Sequence, residues 1–351
     1  VSSRFASVRT ALQEAVGAKA TPAVVLETGD ETAAAWRQAC GRLTYDDDAP
    51  AVTAETIFDL ASLTKVIATA TLVMHAVEER RLDLDERVAT WIPDWRGADR
   101  EGVTIRDLLE HCSGLTAYLP LFRDCSDRTE FRRAIATLPL EYPPRTQSLY
   151  SDLGFILLGF ILEEAGGTPL PTQFKTVARL VGGEPLAFTP PRDWRARMAP
   201  TEVDTWRGRL LVGEVHDENA WALGGTAGHS GLFGTTAAVG TFARLVLQTL
   251  RRDSSLARRD TLRAFVQRSA VPGSSRALAW DTMRTTSSCG HLMSTRAVGH
   301  TGFTGTSVWI DPDRGIYVVL LSNRVHPSRT NEQFRSVRPL VHDEVMRAWG
   351  F

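Results

Sequence analysis

The sequence predicts an α+β fold: an antiparallel sheet flanked by helices and formed from both chain ends, with an inserted all-helical domain. Two observations carry this. Segments with strand character occur only toward the two ends of the 351-residue chain. Between residues 80 and 220, helical patterns alternate with Pro-rich connectors at residues 139–144 and at Pro190-Pro191. The length exceeds that of most single domains, which suits one large domain with an insertion or two intimately packed ones. The expected division is residues 1–79 with 221–351 for the sheet domain and 80–220 for a mainly helical domain.

Taken in order, residues 5–16 carry apolar positions at helical spacing, and residues 22–27 and 33–41 read as strands joined across Gly29-Asp30. Residues 53–60 lead into Ala61-Ser62-Leu63-Thr64-Lys65. An Ala/Thr/Val/Leu-rich buried helix then continues to about Glu79, which puts Ser62 near a helix start. The longest apolar run, from Phe155 to Leu162, is far short of the ~20 residues of a membrane span and reads as a buried helix. After the Gly-rich segment 224–231 come a helix over residues 236–250, strands over 306–311 and 316–322 about the turn Pro312-Asp313-Arg314-Gly315, and a closing amphipathic helix over 332–349.

Apolar residues make up 43% and charged residues 23%, and the formal net charge is −1. Nothing broadly basic invites nucleic acid or an anionic membrane surface, so a small-molecule ester, amide or peptide is the expected partner. The start at Val1 leaves processing, and hence compartment, open, and nothing fixes an oligomeric state. Cys40, Cys112, Cys125 and Cys289 form no C-x-x-C and no zinc-like spacing with histidine, so free buried thiols are expected, with no metal and no cofactor. Lys19, Lys65 and Lys175 are the only lysines. The preference for arginine reads as genomic base composition, yet a lysine kept beside a serine is informative.

Ser62 and Lys65 are three apart, so on a helix they share a face and can share a proton. A serine hydroxyl needs a base to become a nucleophile, and a lysine whose pKa is lowered by burial can be one. A helix start adds free N–H groups and the helix dipole, which favour the negative charge of acyl transfer. S-x-x-K alone is a weak string that also describes an ordinary helix start with a solvated lysine.

Context decides between them. Phe58-Asp59-Leu60-Ala61-Ser62-Leu63-Thr64-Lys65 resembles the nucleophile motif of the serine β-lactamase and penicillin-binding-protein superfamily, which includes class C β-lactamases, DD-peptidases and family VIII esterases. Tyr150-Ser151-Asp152 resembles its Tyr-x-Asn element and His300-Thr301-Gly302 its Lys-Thr-Gly element, in the expected order. Residues 108–115 resemble another recurrent segment, a helix end with a Gly turn. The resemblance implies a β-lactamase/transpeptidase-like fold. It also implies an acyl-enzyme on Ser62, activation by Lys65 and Tyr150, and an oxyanion hole from the backbone N–H groups of Ser62 and of Phe303, which follows the 300–302 motif on an edge strand. Tyr150 can accept a proton only if a cation lowers its pKa toward neutrality.

Two positions depart from the family pattern. Asp152 replaces the usual Asn and, if ionised, raises the pKa of Lys65, which shifts the base role toward Tyr150. His300 replaces a lysine that would face a substrate carboxylate; a histidine is charged only part of the time near neutrality, which predicts weak turnover of penicillins relative to simple esters. His216 and His229, in the polar and Gly-rich stretch 215–233, read either as a wall of the cleft or as hydrogen-bonded core residues. The expected activity is that of an esterase or a D-amino-acid peptidase or amidase. The alternative is a catalytically weak module of the same fold that senses penicillin or peptidoglycan fragments. An α/β-hydrolase fails on spacing, because Gly228-His229-Ser230-Gly231 has its second glycine one place early for G-x-S-x-G.

Overall fold

The computed structural model describes residues 3–351. The first part runs α1 (Ala6–Gly17), β1 (Ala23–Asp30), β2 (Ala34–Gly41) and β3 (Phe58–Asp59), then a π-helical turn Lys65–Ala70 that continues into α2 (Thr71–Glu78). The middle holds α3 (Val88–Trp91), α4 (Ile105–Leu109), α5 (Arg128–Thr137), α6 (Asp152–Gly166), α7 (Leu170–Leu180), β4 (Leu186–Phe188), β5 (Val203–Asp204), β6 (Arg209–Leu210) and α8 (Glu218–Ala222). The last part is β7 (Leu232–Gly234), α9 (Thr236–Arg251), α10 (Arg259–Val266), β8 (Asp281–Thr282), β9 (Val298–Thr301), β10 (Ser307–Asp311), β11 (Ile316–Ser322) and α11 (Phe334–Trp349).

The main sheet is antiparallel with strand order β2-β1-β11-β10-β9-β8, so the two ends of the chain meet at the β1–β11 pair. Both faces are covered, and the period-2 alternation of strand side chains sorts residues into two cores. Val24, Leu26, Trp309, Val318 and Leu320 pack with α1 and α11, through Val8, Leu12, Val341 and Val345. Val25, Val308, Ile310, Val319 and Leu321 face the opposite way, toward Phe242 and Val246 of α9. That second core runs on without a break into the middle of the chain, where α6 is buried along most of its length. Among the described residues no single helix is long and apolar enough to cross a membrane; α6 and α7 pass that test only as a pair, and they meet at 90°.

Three details differ from the sequence expectation. The first hairpin turns at residues 31–33 rather than at Gly29-Asp30. Asp30 Oδ1 accepts the backbone N–H groups of Thr32 and Ala33 and so closes the turn, while Gly29 lies in a bulged strand where a Cβ would meet the Ala33 carbonyl at 2.3 Å. The middle region is mainly rather than wholly helical. Its β4 pairs with β7, which also pairs with β3, and β5 and β6 form a separate hairpin; strands of two and three residues are too short to leave a periodic pattern. Finally, β9 is flanked by β8 instead of forming the sheet edge. Because β8 reaches only Val298 and Gly299, the backbone of His300 and Thr301 stays open on that side. Cys40, Cys112 and Cys289 are buried free thiols, whereas Cys125 is only half-buried.

Candidate active site

Ser62 stands at a backbone corner. Ala61 adopts φ 47°, a left-handed conformation that costs a residue with a Cβ about 1 kcal/mol, and the corner is held on every side. Asp59 Oδ1 accepts the Ala61 N–H, Leu60 N–H donates to Leu232 O, and Thr64 Oγ1 donates to Ala61 O. Thr304 and Thr306, on the turn between β9 and β10, donate their hydroxyls to Asp59 O (2.7 Å) and Leu60 O (3.0 Å). The serine corner is thereby fastened to the 302–306 turn. Gly302 is required there, since a Cβ would meet Thr306 Oγ1 at 2.1 Å and Leu60 O at 2.6 Å. The backbone N–H groups of Ser62 and Phe303 have no hydrogen-bond partner among the described residues.

Lys65 is fully buried one helical turn further on. Its ammonium donates to Ser62 Oγ (2.9 Å), Asp152 Oδ1 (2.7 Å) and His229 O (3.1 Å), which accounts for all of its N–H donors. Each acceptor has a structural reason to be there. Asp152 opens α6, where the helix dipole favours a carboxylate, and its own N–H is held by Ala117 O. The His229 carbonyl is delivered by the Gly-rich loop, which Thr69 Oγ1 ties down at Gly228 O. That loop approaches α6 so closely that a Cβ on Gly159 would meet Gly228 N at 2.8 Å, and one on Gly228 would meet Phe155 O at 2.1 Å. Burial pulls the Lys65 pKa down, but Asp152 and then Tyr150 more than offset this, so it lies above the ordinary lysine value.

Tyr150 sits against Lys65 and interacts through its phenol with both Lys65 and Ser62. The Lys65 ammonium lies 4.8 Å from the Tyr150 ring centroid, the Arg276 guanidinium 4.9 Å and the His111 ring 4.7 Å. Burial raises the Tyr150 pKa above its ordinary value, and the attraction of Lys65 only partly opposes it. The condition for a phenolate at Tyr150 is therefore not met: the resting pair is a charged lysine and a neutral tyrosine.

His300 is likewise uncharged. Burial first, then Arg276 and Lys65, hold its pKa well below the usual histidine value. Its Nδ1 donates to Thr301 O (2.8 Å), which leaves Nε2 a buried acceptor with no partner. His111 is the complement. Its Nδ1 accepts the Ser151 N–H, so Nε2 carries the proton, again buried and without a partner.

The sequence motifs thus come together at one point: Ser62, Lys65, Tyr150 and Asp152 meet, with His300, Thr301, Gly302 and Phe303 along one side. Two cavities open from Ser62. The larger, about 660 Å³, holds Tyr150, His300, Thr301 and a series of arginines: Arg276, Arg284, Arg324, Arg335 and Arg338. The smaller, about 310 Å³, holds Tyr118, His216, Asp217, Glu218 and Arg329. Phe303 stands at the boundary, with the Arg324 guanidinium 4.8 Å from its ring centroid and the His216 ring stacked at 5.6 Å. His216 therefore does form part of a cleft wall, while the His229 ring, which lines neither cavity, bonds to Asp217 (2.8 Å). The arginines, Asp217 and His111 were not singled out by sequence: His111 and Asp217 lie in the segments 108–115 and 215–233 without a role assigned to them, and arginine is abundant throughout the chain. Among the described residues, no group of three or more His, Cys, Asp or Glu side chains is placed to hold a metal ion.

Residues 8–341 match the Beta-lactamase family. A relative from Escherichia coli (strain K12), named as a D-alanyl-D-alanine carboxypeptidase, is 30% identical over 326 residues, covering 81% of this chain and 74% of its own. Solved structures with the same fold include a class C beta-lactamase from Rhodobacter sphaeroides (TM-score 0.76, 18% identity, covering 97% of this chain and 99% of that one). Another is a penicillin-binding protein homologue from Caulobacter crescentus (TM-score 0.77, 20% identity, covering 98% and 97%).

Proposed function

The chain belongs to the Beta-lactamase family and is a serine hydrolase, and from that premise we propose that Ser62 is its nucleophile and that it cleaves an ester or amide whose leaving group carries a carboxylate. The observation that carries the first part is the Lys65–Ser62 contact of 2.9 Å at the floor of an open cleft. Ser62 Oγ attacks the carbonyl carbon, and the free N–H groups of Ser62 and Phe303 hold the oxyanion. With Lys65 charged and Tyr150 neutral, the proton moves by relay. Tyr150 oxygen takes the Ser62 proton as the phenol gives its own to the departing nitrogen or oxygen, the bond to the leaving group breaks, and Lys65 stays an ammonium throughout. Water then attacks the acyl-Ser62 ester and restores the hydroxyl.

The leaving group lies in the larger cavity, because Tyr150 lines that cavity and not the smaller one. The positive charge that His300 does not carry is present there on Arg276, which lies over Tyr150 and has no carboxylate partner among the described residues. This reverses the ranking expected from His300 alone and favours a D-alanyl peptide with a free carboxylate over an uncharged ester. The E. coli relative's name points the same way.

The test is a D-alanyl-D-alanine peptide, its C-terminal amide and a nitrophenyl ester, each offered to wild type and Ser62→Ala, with a fluorescent penicillin as label. Wild type should prefer the free acid to the amide by about tenfold or more, the scale of one charge-assisted hydrogen bond. The penicillin should attach to Ser62 and be released; permanent attachment without turnover of any substrate would identify a sensor. Full activity in Ser62→Ala would remove the proposal.

A further inference from the structure

Apart from Arg284, which donates to Ser274 O (2.6 Å), the arginines of the larger cavity fall into two groups. Arg276, beside Tyr150 and His300, acts electrostatically on His300 and His111. Arg324, Arg335 and Arg338 lie beyond Phe303, toward α11, and act on one another. A single carboxylate bound beside Tyr150 does not account for the second group.

Arg324 and Arg338 are 2% and 7% exposed, yet among the described residues neither has a carboxylate partner. Arg324 donates to the carbonyls of Arg329 and Asn331, and Arg338 to those of Gly302 and Thr306. The Nε of each is buried without an acceptor. Bracing carbonyl groups calls for donors but not for charge, and two like charges held side by side in a buried wall are unfavourable. Burial, then Arg324 and Arg335, pushes the Arg338 pKa down to about 9. Arg335, mostly exposed, adds a third guanidinium at the rim and pairs only with the exposed Glu332. Guanidinium forks with free N–H groups along a cavity wall match the oxygens of a carboxylate or phosphate.

We propose that Arg324, Arg335 and Arg338 form a second anion subsite, so that the favoured leaving group carries two negatively charged groups, one beside Arg276 and one against α11. This rests on the reading of the larger cavity as the leaving-group side. The second anion is a side-chain carboxylate or a phosphate, both of which present the same oxygen geometry.

The experiment uses three peptides identical but for their last residue: D-Ala, D-Glu and O-phospho-D-Ser. Equilibrium binding is measured on Ser62→Ala, and kcat/KM on wild type. The peptides ending in D-Glu or phospho-D-Ser, or one of them, should bind at least tenfold tighter than that ending in D-Ala and gain similarly in kcat/KM. A gain confined to one of them identifies the source of the anion. Arg335→Ser and Arg338→Met, each in the Ser62→Ala background, should cut the binding advantage below threefold; Arg335 is a surface position, so its variant remains informative if the other does not fold. Equal or tighter binding of the D-Ala peptide, or an advantage that survives Arg335→Ser, would overturn the proposal. Failure of the parent reading looks different: wild type would then hydrolyse none of the three, whatever their order of binding.

Discussion

The two walls flanking Ser62 have opposite charge and opposite states of compensation. On the smaller cavity, every carboxylate has a cation or imidazole beside it: Asp152 has Lys65 (2.7 Å), Glu218 has Arg329 (2.7 Å) and Asp217 has His229, while Glu202, next to the lining residues Arg329 and His216, is paired with both. On the larger cavity, Arg276, Arg324 and Arg338 have no carboxylate partner among the described residues. A compensated wall is scaffold, because its charges are already neutralised within the fold. An uncompensated wall leaves a field in the cleft, and that field acts on whatever enters.

This contrast can be broken at several points. The largest effect belongs to the junction itself: Tyr150→Phe should lower kcat by about 10²–10⁴-fold for peptide and ester alike, as loss of a proton relay does. An undiminished kcat would show that the proton takes another route. Next is acid stability, which should fail on the basic side first. Burial, together with the charge of Arg338, holds the His342 pKa at about 4 when folded, against an ordinary 6.5. Between those values the unfolded chain binds a proton that the folded chain refuses, so stability falls as pH drops from about 6.5 to 4, by roughly 3 kcal/mol at 1.36 kcal/mol per pKa unit. On the acidic side, burial is overcome by His216 and Arg329, which hold the Glu202 carboxyl down to about 2. Its contribution is complete above about pH 4.5 and is lost only as pH falls toward 2. Urea melts at pH 7, 5.5 and 4 on wild type and His342→Gln check this; a slope unchanged by the substitution would place the acid sensitivity elsewhere.

A smaller effect comes from Arg276→Gln, which should raise KM for a free-acid peptide by about tenfold or more while leaving that of the C-terminal amide nearly unmoved. Equal losses for both would mean that Arg276 supports Tyr150 rather than the substrate. The smallest is Asp217→Ala. Asp217 caps α8 by accepting the Ala220 N–H and also holds His229. Its loss should cost about 1 kcal/mol of stability, read as a lowered Tm, without moving the ratio of acid to amide turnover. A changed ratio would make the acidic wall a substrate site after all.

The sequence showed those parts of the fold whose period is long enough to register: α1, α9, α11 and the strands of the β10–β11 hairpin. It missed β4, β5, β6 and β8, where two or three residues pair only because tertiary neighbours hold them. At the site, the ordered strings around Ser62, Tyr150 and His300 were readable because each packs several roles into a few adjacent residues. Arg276, Arg324 and Arg338 were not, because they are brought together from a loop, a strand end and a helix by folding alone. In a chain where nearly every basic residue is arginine, their identity carried no contrast. The charge state of His300 was equally out of reach of the sequence, since it depends on burial and on Arg276, which is distant in the chain from Ser62.

The two hydroxyl ties from Thr304 and Thr306 to Asp59 and Leu60 join segments separated by 245 and 246 positions along the chain. During synthesis, Ser62 and Lys65 emerge long before the turn that is to face them. A nascent chain holding both of them therefore lacks Phe303 and the clasp that fixes the Ala61 corner, so under the proposed mechanism it has no complete oxyanion hole until its last strands have docked.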